Sequence, residues 1–152
     1  MSYEWRCKKF NDLTLYELYA LLRLRSEVFV VEQNCPYLDM DGKDLKGYHL
    51  MCWKEDKLLA CTRLLPAEIS YQEMAIGRVA TAYSVRRLGL GKELMQRSID
   101  ACYQLFGVAP IRIGAQLYLK KFYESFHFVQ ASQMYLEDDI EHIEMVLAAP
   151  GN

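Results

Sequence analysis

Arg86-Arg87-Leu88-Gly89-Leu90-Gly91 joins a strand-like segment, Ile76 to Ala82, to a helix-like one, Lys92 to Phe106. A chain that passes from strand to helix through glycines can aim several backbone N–H groups at one anion, and the helix dipole adds to their attraction. Arg86 and Arg87 place formal positive charge beside them. Two familiar phosphate loops fit poorly. Leu94 stands where the third glycine of G-x-G-x-x-G belongs, and Arg86 and Glu93 replace the first glycine and the Ser/Thr of a Walker A loop. The spacing that fits is R-x-x-G-x-G, which taken alone is equally a glycine-containing turn on a basic surface.

The elements on either side give that turn its context. Trp5 to Phe10 reads as a first strand. Thr14-x-x-Glu17 reads as a capping box opening a helix with Leu15, Leu18, Tyr19 and Leu22 on one face, running to about Val31. A turn-rich loop follows from Glu32 to Gly47, and long loops in compact domains are often functional. His49 to Lys54 and Leu58 to Leu65 are strands joined closely enough to predict an antiparallel hairpin, with Ile76 to Ala82 as a third neighbour. The helix after the loop carries Leu90, Leu94, Ala101 and Leu105 at near-helical spacing. Ile111 to Gly114 is a further strand, and Gln116 to Phe126 a further helix, on which Leu119, Phe122, Tyr123 and Phe126 form a stripe. Phe128 to Ala131, Met134 to Leu136 and His142 to Leu147 supply short C-terminal strands. The order predicts one mixed α/β domain over residues 1–152, with no linker or repeat to divide it.

Composition narrows the function classes. With 52% hydrophobic and 25% charged residues, the chain is ordinary for a folded domain. A net charge of -2 argues against a nucleic-acid partner bound by bulk electrostatics. Cys7, Cys35, Cys52, Cys61 and Cys102 form no C-x-x-C pair, which predicts reduced, mostly buried thiols with neither a disulfide framework nor a metal site. Met1 to Phe10 is interrupted by charges, and no run approaches transmembrane length, so a cytoplasmic location without membrane attachment is expected.

The whole order of elements, with R-x-x-G-x-G at its centre, resembles the GNAT superfamily of N-acetyltransferases. Gly77-Arg78-Val79-Ala80-Thr81 matches the strand segment that precedes the coenzyme loop there, and Phe122-Tyr123-Glu124-Ser125-Phe126-His127-Phe128 matches a later helix signature except that His127 replaces a glycine. Arg25-x-x-Val28-Phe29-Val30-Val31-Glu32-Gln33, with Cys35-Pro36-Tyr37 and Asp39-x-Asp41-Gly42-x-Asp44, is similar to the ElaA-type branch. So are Ile111-Arg112-x-Gly114-Ala115-Gln116 and the segment Tyr135 to Met145. The resemblance implies the GNAT, or acyl-CoA N-acyltransferase, fold: a mixed, mostly antiparallel sheet splayed at its central strands and flanked by helices.

It also implies an acetyl-CoA-dependent N-acetyltransferase, moving acetyl to a primary amine of a small molecule, peptide or protein through a tetrahedral intermediate. Val79, Ala80 and Thr81 would hold the pantetheine arm by strand-type hydrogen bonds. Arg86, Arg87, Leu88, Gly89, Leu90, Gly91 and Lys92 would bind the pyrophosphate, with Gln116, Phe122 and Tyr123 completing the coenzyme site. The Val79 backbone is the implied oxyanion donor, and Tyr123 the implied acid for the leaving thiolate, although its place on an apolar stripe equally fits core packing.

The base is open among Glu32, Asp39, Asp41, Glu73 and His142, with Glu32, Glu73 and His142 the first choices. An amine of pKa about 10.4 needs such a group or a water chain to accept its proton. Arg25, Phe29, Glu32, Gln33, Tyr37, Arg63 and Arg78 are the expected lining of the acceptor site. Its acids would favour a cationic amine and its arginines an anionic group. A non-catalytic acyl-CoA sensor is the alternative reading, motivated by His127 and by Gln116 where asparagine is common. A homodimer would follow if the C-terminal strand were left unpaired.

Overall fold

Thr14 opens the first helix as its spacing to Glu17 predicts. The Thr14 hydroxyl accepts from the Glu17 N–H at 3.0 Å, and the Glu17 carboxylate accepts from the Thr14 N–H at 2.9 Å. The computed structural model describes residues 2–151, so the ends of the expected domain, Met1 and Asn152, lie outside it. Helix α1 spans Leu15–Arg25 and continues as a seven-residue π-helical segment, Ser26–Glu32. Its buried side differs from the expected stripe. Leu15 and Tyr19 are 83% and 71% exposed, while Glu17, Leu21, Leu24 and Arg25 face inward. The reason is electrostatic: Arg6 and Lys8 of strand β1 (Glu4–Lys9) donate to the Glu17 carboxylate, so a charged residue can take an inward position.

The remaining strands are β2 (Tyr48–Lys54), β3 (Lys57–Leu65), β4 (Met74–Thr81), β5 (Ile111–Gln116), β6 (Val129–Gln130), β7 (Tyr135–Glu137) and β8 (Ile140–Leu147). They form one sheet in the order β1-β2-β3-β4-β5-β8-β6, with β7 also paired to β8. β1 to β4 are antiparallel neighbours, and β5 is antiparallel to β8. β4 and β5 run parallel and pair only at Met74 with Ile111 and Ala75 with Arg112. Beyond those pairs they splay, and the facing edges of both strands lose their backbone partners. The C-terminal strand is not the open edge expected. β8 has β5 on one side and β6 and β7 on the other, which removes the argument for dimerisation through it.

Helices cover both faces. On one, Thr62 of β3 meets Ser98 of helix α2 (Leu90–Phe106), their hydroxyls 2.8 Å apart; on the other, neighbouring Arg63 reaches toward the loop that follows α1. α2 buries Leu90 and Leu94 as expected, but its inner face continues through Met95, Ser98, Ile99 and Cys102, leaving Leu105 38% exposed. The expected helix Gln116 to Phe126 is shorter: a 3-10 turn, Leu117–Leu119, leads into α3, Lys120–Glu124. It ends where Phe128 N–H donates to the Tyr123 carbonyl and His127 N–H to that of Glu124, with His127 at φ 77. His127 therefore keeps the left-handed backbone that a glycine would supply at a helix end.

Candidate active site

The splay between β4 and β5 is widened by a bulge. Register slips between Cys61 and Arg63, so Arg78 and Val79 on β4 oppose Thr62 alone, and Arg78 takes φ 49. Val79 and Thr81 line the resulting cavity, whereas Ala80 is 1% exposed and packs into the core, leaving only its main chain for a ligand. The cavity encloses about 900 Å³ and runs from the α2 N-terminus to the β7–β8 turn.

At its first end lies the glycine loop. Gly89 precedes α2 at φ 83 and has no atom within 4 Å of where a Cβ would sit; a Cβ on Gly91 would approach Phe122 at 3.8 Å. The first N–H groups of this helix have no intrahelical acceptor, with Leu88 exposed and Leu90 buried beneath. Such donors fit a phosphate. The cations divide in a way the sequence did not reveal. Arg86 donates to the Thr81 carbonyl at 3.0 Å and to the Glu32 carboxylate at 2.8 Å, while Arg87 and Lys92 are exposed and, among the described residues, take part in no ion pair.

Tyr123 stands at the middle of the cavity wall, 6% exposed. Its ring packs edge-on against Phe122 and Phe128, and its hydroxyl bonds to no described residue. Burial raises the phenol well above its ordinary range, so it stays protonated. Tyr123 thus packs in the core, as its place on the apolar stripe allows, and also borders the cavity. Gln116 lines the wall nearby, paired across the sheet with His142.

The acceptor residues expected from the sequence separate into two groups. Phe29, Glu32, Gln33, Tyr37, Arg63 and Arg78 line the cavity, but Arg25 does not. It lies 2% exposed behind the wall, donating to Asp39 at 2.8 Å and to Asp44 at 2.9 Å. Arg63 grips both oxygens of Asp41 at 2.8 and 3.0 Å and also reaches Asp44 at 3.0 Å. Arg78 donates to the Asp39 carbonyl at 2.8 Å, and Tyr37 to the Asp39 carboxylate at 3.0 Å. The loop carrying these aspartates is thereby tied to α1, to β3 and to the β4 bulge. Burial by itself would raise the Asp41 carboxyl, but the Arg63 guanidinium outweighs it and holds the group at about 2.

The three first choices of base also sort. Glu73 lies outside the cavity wall with its carboxylate on Arg112 at 2.9 and 3.0 Å. Glu32 is engaged by Arg86. His142, 8% exposed, bonds through Nδ1 to the Ile140 carbonyl at 2.7 Å. In the neutral ring that bond puts the proton on Nδ1 and the lone pair on Nε2. The sequence reading overlooked Tyr71, Lys43, Glu137 and Asp138, which line the same end. Glu137 and Asp138 carried a signal, in the acidic run Glu137-Asp138-Asp139 and in the segment Tyr135 to Met145, whereas Tyr71 and Lys43 carried none.

Residues 27–149 match the family described as acetyltransferase (GNAT) domain. The chain is 42% identical over 144 residues to the Escherichia coli protein ElaA, covering 93% of this chain and 94% of that protein. Its structure resembles the crystal structure of an acyl-CoA N-acyltransferase from Pseudomonas aeruginosa, with TM-score 0.93 and 47% identity over 97% of this chain and 100% of that one. It also resembles the crystal structure of E. coli ElaA, with TM-score 0.89 and 39% identity over 95% and 99% of the two chains.

Proposed function

The chain belongs to the acetyltransferase (GNAT) domain family, and from that premise we propose that it transfers the acetyl group of acetyl-coenzyme A directly to a primary amine. The observation that carries the reading is the splay between β4 and β5, with Gly91 of the glycine loop at one end and Tyr123 in its wall. When bound, the coenzyme supplies an acyl group activated as a thioester.

The chain's own residues divide the remaining work. N–H groups from Arg87 to Lys92 hold the diphosphate, and Arg87 and Lys92 neutralise it. The β4 edge from Val79 to Thr81, unpaired toward β5, would hold an amide-bearing arm as an added strand does, and the Val79 backbone N–H would serve as oxyanion donor. Phe122 and Gln116 border the arm. Tyr123 would supply a proton for the thiolate leaving group, and His142 Nε2 would accept one from the amine.

Free-thiol release from acetyl-coenzyme A in the presence of a primary-amine panel tests the proposal. Tyr123→Phe is expected to lower turnover by about two orders of magnitude while coenzyme affinity is kept. Tight coenzyme binding with no amine acetylated, and no effect of Tyr123→Phe, would identify a binding module instead.

A further inference from the structure

We infer that the acceptor is a small amine carrying a second cationic centre, a diamine or polyamine, received by the acidic β7–β8 hairpin; this rests on the acetyltransferase reading above. Asp138 and Asp139 form the two-residue turn between β7 and β8 at φ 51 and 63, a backbone that most sequences give to Asn-Gly. Glu137 precedes the turn and Glu141 follows it. Among the described residues none of these four acids pairs with an arginine or lysine, and Glu137 and Asp138 line the cavity.

Two independent features point the same wall at a cation. The first is His142. Its Nδ1 is occupied, and its Nε2 has no hydrogen-bond partner, lying 3.6 Å from the Glu137 carboxylate in a side chain that is almost wholly buried. The second is the pair of hydroxyls that close over Gly114, where a Cβ would come within 3.0 Å of the Tyr71 oxygen and 3.3 Å of the Tyr135 oxygen. Neither hydroxyl bonds to a described residue. Phenol oxygens accept from an ammonium, and the Tyr71 ring already has a cation over it, the Arg112 guanidinium 6.0 Å from its centroid, so the hydroxyls are the groups left for a ligand. The Tyr135 ring lies stacked on His142 with centroids 5.8 Å apart, which places this acceptor group beside the imidazole.

The arginines of the opposite wall are already paired with carboxylates. Arg25, Arg63 and Arg78 are matched by Asp39, Asp41 and Asp44, which leaves Lys43, bonded to the neutral Ser70 hydroxyl at 3.0 Å, as a single uncompensated cation against the hairpin acids. The charge left unmatched at this end is therefore predominantly that of the hairpin, which favours a cationic acceptor over one bearing a carboxylate. A monoamine would engage only one centre. A second ammonium lets one nitrogen stand at His142 while the other rests on the hairpin carboxylates.

The test is calorimetric binding of 1,4-diaminobutane, butylamine and 4-aminobutyrate to the full chain, with and without saturating coenzyme A. The diamine is expected to bind at least about tenfold more tightly than butylamine, as charge-assisted hydrogen bonds allow, with 4-aminobutyrate weakest. Glu137→Gln with Asp138→Asn should remove that advantage; asparagine tolerates the left-handed turn, and an unchanged thermal midpoint confirms folding. For the unaltered chain the advantage should also shrink as salt is raised. No binding, equal binding of diamine and butylamine, preference for 4-aminobutyrate, or an advantage that survives the double variant would overturn the inference. Diamine binding without acetyl transfer would instead sink the enzymatic reading alone.

Discussion

The Arg86 guanidinium lies 2.8 Å from the Glu32 carboxylate, so the end of the first helical run is ion-paired to the first residue of the glycine loop. A phosphate arriving at that loop competes with Glu32 for the same cation. Glu32→Gln is expected to tighten coenzyme A binding by a factor of about two to five, the scale of a half-exposed ion pair. Turnover should be unchanged if His142 is the base. Calorimetry and steady-state kinetics read the two effects separately, and a large fall in kcat would return Glu32 to the role of base.

The two loop glycines are not equivalent. Gly89→Ala forces a side chain onto φ 83 and should destabilise the fold by about 1–2 kcal/mol while weakening coenzyme binding. Gly91→Ala sits inside the first turn of α2, where alanine gains up to about 1 kcal/mol of helix propensity and its Cβ meets Phe122 at an ordinary 3.8 Å. Chemical denaturation should therefore separate the variants by sign.

His127→Gly should stabilise the protein by about 0.5–1 kcal/mol, because φ 77 at the end of α3 costs any residue with a Cβ. Coenzyme affinity is expected to stay the same. A lower denaturation midpoint would mean that the imidazole contributes contacts outweighing the backbone strain.

Acid should loosen the aspartate loop. The Asp41 carboxyl is depressed in the folded state, so its pairing with Arg63 contributes fully above the ordinary value of 3.8 and is lost as the pH falls through about 2. Asp44, pulled down by Arg25 and Arg63 against the opposing effect of burial, acts in the same direction. Thermal midpoints should fall more steeply between about pH 4 and pH 2 in the unaltered chain than in Asp41→Asn. Parallel curves would show that the network adds no net stability.

What was legible in the sequence was local. The capping box at Thr14 and Glu17, the β2–β3 hairpin and the glycine turn before α2 each depend on residues within a few positions of one another. The inward face of α1 was misread because Glu17 owes its burial to Arg6 and Lys8, on a different element. Arg25 was placed in the acceptor site for the same kind of reason: its partners lie 14 and 19 positions away, and only folding shows that they draw it behind the wall. The phenols over Gly114 converge from Tyr71 and Tyr135, which share no motif.

The narrow junction between β4 and β5 also governs how the molecule comes apart. Leu64, Met74 and Ile76 of β3 and β4 share one hydrophobic cluster with Ile113 and Met145 beyond the junction, so side chains bridge what the backbone leaves open. Between the two half-sheets, Met74–Ile111 and Ala75–Arg112 are the described strand pairings. Amide exchange in the empty protein should accordingly be fastest along the unpaired edges of β4 and β5. A ligand laid along both strand edges would protect them together. The acyl donor would then act as a mortar joint as well as a reactant.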